Sequence, residues 1–164
     1  MKVLLVDDEI EFVTTLSNRL GMRGIKTDVA YDGEQALERV KKDEPDVIVL
    51  DLKMPGLYGM EVLRRLSKTN PKIQVVILTG HGTDSDEEEA KRLKAFGYLR
   101  KPTDIETLAD RIRGAYQYKM EQIMTAATFA EAGEFDTAKE FAKGAESPKT
   151  VGELFKGEDK EGKK

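Results

Sequence analysis

Five polar side chains stand at the ends of short apolar runs, and their types belong to one kind of chemistry. Asp7 and Asp8 follow VLLV, Asp51 follows VIVL, Thr79 follows VVIL, and Lys101 closes the run around Tyr98–Leu99. Singly, each has an ordinary explanation. An Asp caps a helix or makes a turn, a Thr suits a strand end, and a Lys sits on a surface. Independent caps and turns have no reason to share the ends of several runs. Three carboxylates brought together repel, by roughly 4 kcal/mol per pair at 4 Å and an effective dielectric of about 20. A hard divalent cation with oxygen ligands relieves that repulsion, and Mg²⁺ typically takes one or two carboxylates, waters and a phosphate. A carboxylate in such a site can attack phosphorus. The ammonium and the hydroxyl are then suited to the charge on the transferring phosphoryl oxygens.

Those side chains converge only if the elements bearing them form one sheet. The runs Val3–Val6, Val47–Leu50 and Ile73–Leu78 are continuous and rich in β-branched residues, as central strands buried on both faces are. Lys26–Tyr31 and Tyr98–Leu99 are weaker runs of the same kind. Between them lie helical patterns. Ile10, Val13, Leu16 and Leu20 step by three and four before Gly21 and Gly24; Ala36, Leu37 and Val40 precede Pro45; Met60, Leu63 and Leu66 precede Asn70-Pro71. Ser85–Lys94 reads as a highly charged fourth helix, and Thr103-Asp104 as the cap of a fifth. Alternating strands and helices predict a right-handed, parallel, doubly wound α/β sheet. Five strands suit the flavodoxin-like (βα)5 order 2-1-3-4-5, whose ligands sit at the carboxyl ends of the strands. In that order the ends bearing Asp7, Asp8, Asp51 and Thr79 are neighbours, with Lys101 on the next strand.

Composition excludes several other classes. The 164 residues carry 27 basic and 31 acidic side chains, a net charge of −4, which is no footprint for a nucleic-acid binder. No apolar run approaches the roughly 20 residues of a membrane span, and the acids of MKVLLVDDE interrupt any signal-peptide pattern. With no cysteine and only one histidine, His81, disulfides, thiolate metal sites and multi-histidine centres are absent. The expected location is cytoplasmic, with neither nucleic acid nor membrane as partner.

The motifs at these positions identify a family resemblance. VDDE at Val6–Glu9, DLKMPG at Asp51–Gly56 with Gly59 and Glu61, ILTG at Ile77–Gly80 and YLRKP at Tyr98–Pro102 closely resemble the receiver domain of two-component response regulators, of the chemotaxis type. The resemblance covers about residues 2–116. It implies that Asp51 is the phosphoacceptor, served by a sensor histidine kinase, a phosphotransfer protein or a small phosphodonor. It also implies that Asp8 and Asp51 hold Mg²⁺ directly with the Lys53 carbonyl, and that Asp7 acts mainly through water. Lys101 would pair with the phosphate, and Lys101–Pro102 resembles the family's cis peptide. Thr79 and Tyr98 would form the switch, Thr79 moving toward the phosphoryl group and Tyr98 swinging from exposed to buried. The face of helix four, strand five and helix five would then change. The chain is expected to assist its own phosphotransfer and dephosphorylation without being an enzyme.

Departures from the pattern occur at Gly80 (usually alanine), Tyr58 (often an acid) and Lys94 (often glycine). His81, two beyond Thr79, and Lys53, two beyond Asp51, flank the mouth where a hydrolytic water would enter. They are therefore candidates for tuning the lifetime of the phosphorylated state.

Beyond the receiver-like part, residues 117–146 read as a helical extension and 147–164 as a charged, disordered tail. From Gln117 onward eight lysines face ten acids, so this piece is no basic DNA-reading domain, and no DNA-binding output is expected. AATFAEAGEFDTAKEFAKGA, Ala126–Ala145, is weakly similar to one tetratricopeptide-type helical hairpin. One such repeat does not bury its own apolar face, so Phe129, Phe135 and Phe141 need a surface. That surface is the chain's own receiver domain, a second copy in a homodimer, or a downstream protein partner. The expected output is a protein–protein interaction.

Three alternatives fit less well. A haloacid-dehalogenase-type phosphatase needs an acid two residues after its nucleophile with small turn residues between, unlike Asp7-Asp8-Glu9-Ile10. A flavin-binding carrier of this fold needs a Ser/Thr/Gly-rich loop where DDEIEF stands. A phosphorylation-independent scaffold has no use for a complete acceptor set.

Overall fold

The computed structural model describes residues 1–131, with side chains to residue 128. Ten elements alternate: β1 (Val3–Val6), α1 (Ile10–Gly21), β2 (Thr27–Ala30), α2 (Gly33–Lys42), β3 (Val47–Leu50), α3 (Gly59–Thr69), β4 (Gln74–Thr79), α4 (Asp84–Arg92), β5 (Gly97–Arg100) and α5 (Ile105–Glu131). The strands form one parallel sheet in the order β2-β1-β3-β4-β5. This is the predicted flavodoxin-like arrangement.

Strand side chains alternate between the two faces of a sheet. Leu4, Val6, Ile48, Leu50, Val75 and Ile77 pack in one core with α2, α3 and α4 residues such as Val40, Leu63 and Ala90. Val3, Leu5, Val47, Val49, Val76 and Leu78 pack in the other with Val13 and Leu20 of α1 and Leu108 and Ile112 of α5. Both faces are covered, which is why β1, β3 and β4 are buried throughout. The edge strand β2 is buried only at Ala30.

Local chemistry sets the helix ends. Asp32 caps α2 by accepting from the Gln35 amide at 2.8 Å. Thr83 and Asp86 form a reciprocal capping box that starts α4. This corrects the expected span: α4 begins at Asp84 and ends at Arg92, short of Lys94. Lys94 instead has φ +62°, the left-handed conformation that glycine adopts most easily, and this accounts for its place in the pattern. Strand β5 is also longer than expected, running from Gly97 to Arg100.

Asp104 accepts from the Thr107 amide at 2.8 Å at the start of α5. The helix then runs without a break to Glu131, through the expected boundary at 116/117. The expected second helix of the hairpin and the charged tail lie outside the described residues, as do the side chains of Phe129, Phe135 and Phe141.

One ion pair ties α5 to the base of the sheet. Lys119, 9% exposed, donates to Asp46 at 2.8 Å, and the Lys2 amide donates to the same carboxylate at 2.7 Å. Burial alone would raise the Asp46 carboxyl, but these donors win and hold it below the ordinary value. A depressed carboxyl contributes stability that is complete above its unfolded pKa, about 3.9, and is lost as pH falls through its lower folded value. Lys119→Met is therefore expected to cost about 1–2 kcal/mol at pH 7. In urea unfolding that difference should shrink below about pH 4. A pH-independent difference would show that Lys119 acts through packing alone.

Candidate functional site: an acidic pocket at the carboxyl edge

Register decides where the polar strand ends meet. Val6 pairs with Leu50, Leu50 with Ile77, and Thr79 with Arg100. The residues one step further on, Asp7 and Asp51, become neighbours, and Lys101 comes alongside. The backbone holds them: the Asp51 amide donates to the Val6 carbonyl at 3.0 Å, the Asp7 amide to Ala30 at 3.1 Å, and the Lys101 amide to Thr79 at 2.9 Å.

Carboxylate oxygens of Asp7, Asp8 and Asp51 lie within 4.8 Å of one another. Asp7 and Asp51 are each 4% exposed. Lys101 Nζ sits 2.7 Å from Asp7 Oδ2, 3.8 Å from Glu9 and 3.9 Å from Asp51 Oδ2. Asp7 Oδ1 accepts from the Glu9 amide at 2.9 Å. Asp51 Oδ1 is buried with no hydrogen-bond partner, an arrangement that costs free energy unless something else binds there. Burial pushes the Asp51 carboxyl up; Lys101 counters this, and the Asp7 charge adds to it. A crowded set of hard oxygen donors with one buried atom unsatisfied fits a small divalent cation, the donor set Mg²⁺ prefers.

Thr79 is fully buried, and its Oγ1 accepts from the His81 amide at 3.3 Å. Tyr98, 1% exposed, lies inward, and its hydroxyl occupies the space above Gly82, where a Cβ would come within 1.7 Å of it. Burial pushes the Tyr98 hydroxyl up to about 12. Arg100 lies 6.0 Å over the Tyr98 ring and pairs with Asp84 at 3.0 Å and Glu87 at 3.1 Å on α4. The Lys101–Pro102 bond is cis. Lys53 and His81 line one open groove of about 660 Å³ beside the Asp51 loop, together with Leu52, Tyr58, Met60 and Arg64. Sequence reasoning missed Phe12, Glu9, Gly82 and Arg100. Phe12 carries one faint signal, an aromatic off the buried stripe of α1 at its site end.

A family model for the response regulator receiver domain matches residues 3–113. The chain belongs to the response regulator receiver domain family. Receiver domains of this family act in two-component systems, receive signals from histidine kinases or phosphotransfer proteins, and typically use Mg²⁺. Sporulation initiation phosphotransferase F of Bacillus subtilis (strain 168) is 36% identical over 112 residues, 68% of this chain and 90% of that protein. Response regulator MprA of Mycobacterium leprae (strain TN) is 38% identical over 113 residues, 69% of this chain and half of that protein. Among solved structures, the receiver domain protein from Clostridium thermocellum has a TM-score of 0.69 at 34% identity, covering 73% of this chain and 96% of that one. A CheY-like receiver domain from Methanospirillum hungatei JF-1 shares the fold, with a TM-score of 0.71 at 20% identity and coverage of 74% and 97%. Among the described residues of this receiver, no helix is long and apolar enough to cross a membrane.

Proposed function

We propose that this receiver accepts a phosphoryl group on Asp51 and that the modified state changes a protein-binding surface. The observation that carries the reading is Asp51 itself, buried, raised by burial and by Asp7, with one oxygen unsatisfied and the Lys101 ammonium 3.9 Å from the other. In the reaction an Asp51 oxygen forms a bond to phosphorus while the donor's P–N or P–O bond breaks. The electron pair leaves with the imidazole of a phosphohistidine or the carboxylate of an acyl phosphate. The Lys101 ammonium donates to a phosphoryl oxygen, and the Thr79 hydroxyl donates to another. Asp8, Asp51 and the Lys53 carbonyl would hold Mg²⁺, with Asp7 acting through water, and the bound ion would supply neutralising positive charge.

The chain acts as a phosphoacceptor that assists its own transfer and hydrolysis rather than as an enzyme on a separate substrate. Its immediate partner is a sensor histidine kinase or phosphotransfer protein in the cytoplasm. Its output is a contact with a downstream protein or a second copy. Movement of Thr79 toward the phosphoryl group would be transmitted through Tyr98 to the face of α4, β5 and α5. The inward ring against Gly82 and Thr79, with Arg100 bridging β5 to α4, supports that route.

Intact-protein mass after incubation with acetyl phosphate tests the reading. One added phosphoryl group is expected with Mg²⁺ and none with a chelator. No adduct, together with no spectroscopic response to beryllofluoride and Mg²⁺, would overturn it. Because Lys53 and His81 line the same groove at the acceptor's mouth, exchanging both for alanine is expected to change the phosphoprotein half-life several-fold. An unchanged half-life would remove them from any part in hydrolysis.

A further inference from the structure

Lys101 is held by more than the carboxylates. Its Nζ lies 4.2 Å from the centroid of the Phe12 ring, over its face. Phe12 is on the first turn of α1, partly buried, and packs against the core beneath α1 and α5, which holds the ring in place. On its other side the lysine stem runs past Gly80. Gly80 offers no Cβ, and one placed there would make ordinary contact with the Lys101 stem at 3.7 and 3.9 Å. A lysine is a compact charge on a flexible four-carbon stem, and two alternatives compete for it. Asp7 holds it at 2.7 Å, and Glu9, whose side chain is 60% exposed, stands 3.8 Å away toward solvent.

We propose that Phe12 is a positioning residue for phosphoryl transfer, its ring face holding the Lys101 ammonium at the mouth of the acceptor pocket. The inference rests on the Asp51 reading above and deepens it. Engagement of Asp7 and Asp51 by a cation changes what holds the ammonium. Their charge no longer draws the ammonium inward, and the cation repels it. Glu9 would then win the side chain and carry it outward. The ring attracts the ammonium through its quadrupole in every state of the site, and it carries no charge that would compete with the incoming phosphoryl oxygens. An aliphatic residue of similar volume fills the space but lacks that attraction.

The test uses the full chain with acetyl phosphate and Mg²⁺, following adduct formation by intact mass. Phe12→Leu is expected to slow phosphorylation about fivefold, while Phe12→Tyr, which keeps the ring face, stays within about twofold of wild type. Successively fluorinated phenylalanines at position 12 keep the shape and drain the ring face of negative charge. The rate should fall step by step with fluorination, which a purely structural role would not produce. In the metal-free protein, the Lys101 CεH₂ proton signals should be shifted upfield by the ring and return to ordinary positions in Phe12→Leu. Equal rates for wild type and Phe12→Leu, or rates insensitive to fluorination, would overturn the positioning role alone. A wild type that takes no phosphoryl group would overturn the Asp51 reading and this one with it.

Discussion

Asp51→Asn is expected to abolish the phosphoryl adduct and, without metal, to make the protein more stable. The amide is no nucleophile, so loss of the adduct is complete. The gain in stability follows from the electrostatics. Burial pushes the Asp51 carboxyl up, Lys101 pulls it down, and the Asp7 charge pushes it up again, leaving it above its ordinary value. A carboxyl whose folded pKa is raised disfavours its own ionised form, so at neutral pH the fold bears that cost, and it declines as pH falls through the raised value. Asparagine removes the charge at nearly constant volume. The expected gain is about 1–2 kcal/mol, the part of the cost of burying the carboxylate that Lys101 leaves uncompensated. For a domain of this size that is a rise of roughly 3–8 °C in Tm. Added Mg²⁺ should stabilise wild type more than Asp51→Asn, narrowing the gap. A destabilised metal-free variant would mean that Lys101 already more than neutralises Asp51.

Gly59→Ala should have the largest effect on the fold itself. Gly59 begins α3, and its amide donates to the Leu52 carbonyl at 2.9 Å. A Cβ there would stand 2.1 Å from the Asp51 carbonyl oxygen and 2.8 Å from Leu52 Cα. These are backbone atoms of the segment that carries Asp51, so neither can turn aside as a side chain would. Overpacking usually costs 1–3 kcal/mol, and a clash with backbone belongs at or above the top of that range, about 3 kcal/mol. Against a typical total of 5–15 kcal/mol, this should move the urea midpoint strongly at unchanged m. Any folded fraction should also accept phosphate more slowly, because α3 can be accommodated only by moving Asp51. Near-native stability would mean the β3–α3 loop has slack that its contacts do not suggest. Gly24, with open space around it and φ +77°, is a glycine of the other kind, required by its backbone conformation.

Much of the site was legible because its signals are local. Each central strand is apolar throughout and ends in a polar residue, and the turn after Asp51 carries its own proline and glycines. The helix limits were legible where a cap or breaker stands in the chain, as at Asp32 and Pro45. They were misread at α4, where Lys94 takes a left-handed conformation that its residue type does not announce. Tyr98 was recognised from its offset to Lys101, but its inward position depends on the space above Gly82, across another loop.

Sequence alone therefore determined the alternation of elements, the two-faced burial of the strands, the family and the set of polar residues at the strand ends, since periodicity, caps and contiguous motifs are properties of neighbouring residues. Tertiary structure decided how close those residues come and what else holds them. It brought Lys101 to Asp7 across 94 residues and Lys119 to Asp46 across 73, set the Phe12 ring under the ammonium, and left Gly59 no room for a side chain. These follow from strand register and from α1 and α5 packing on one face of the sheet. Such contacts join distant parts of the chain, and no local pattern encodes the distance between them.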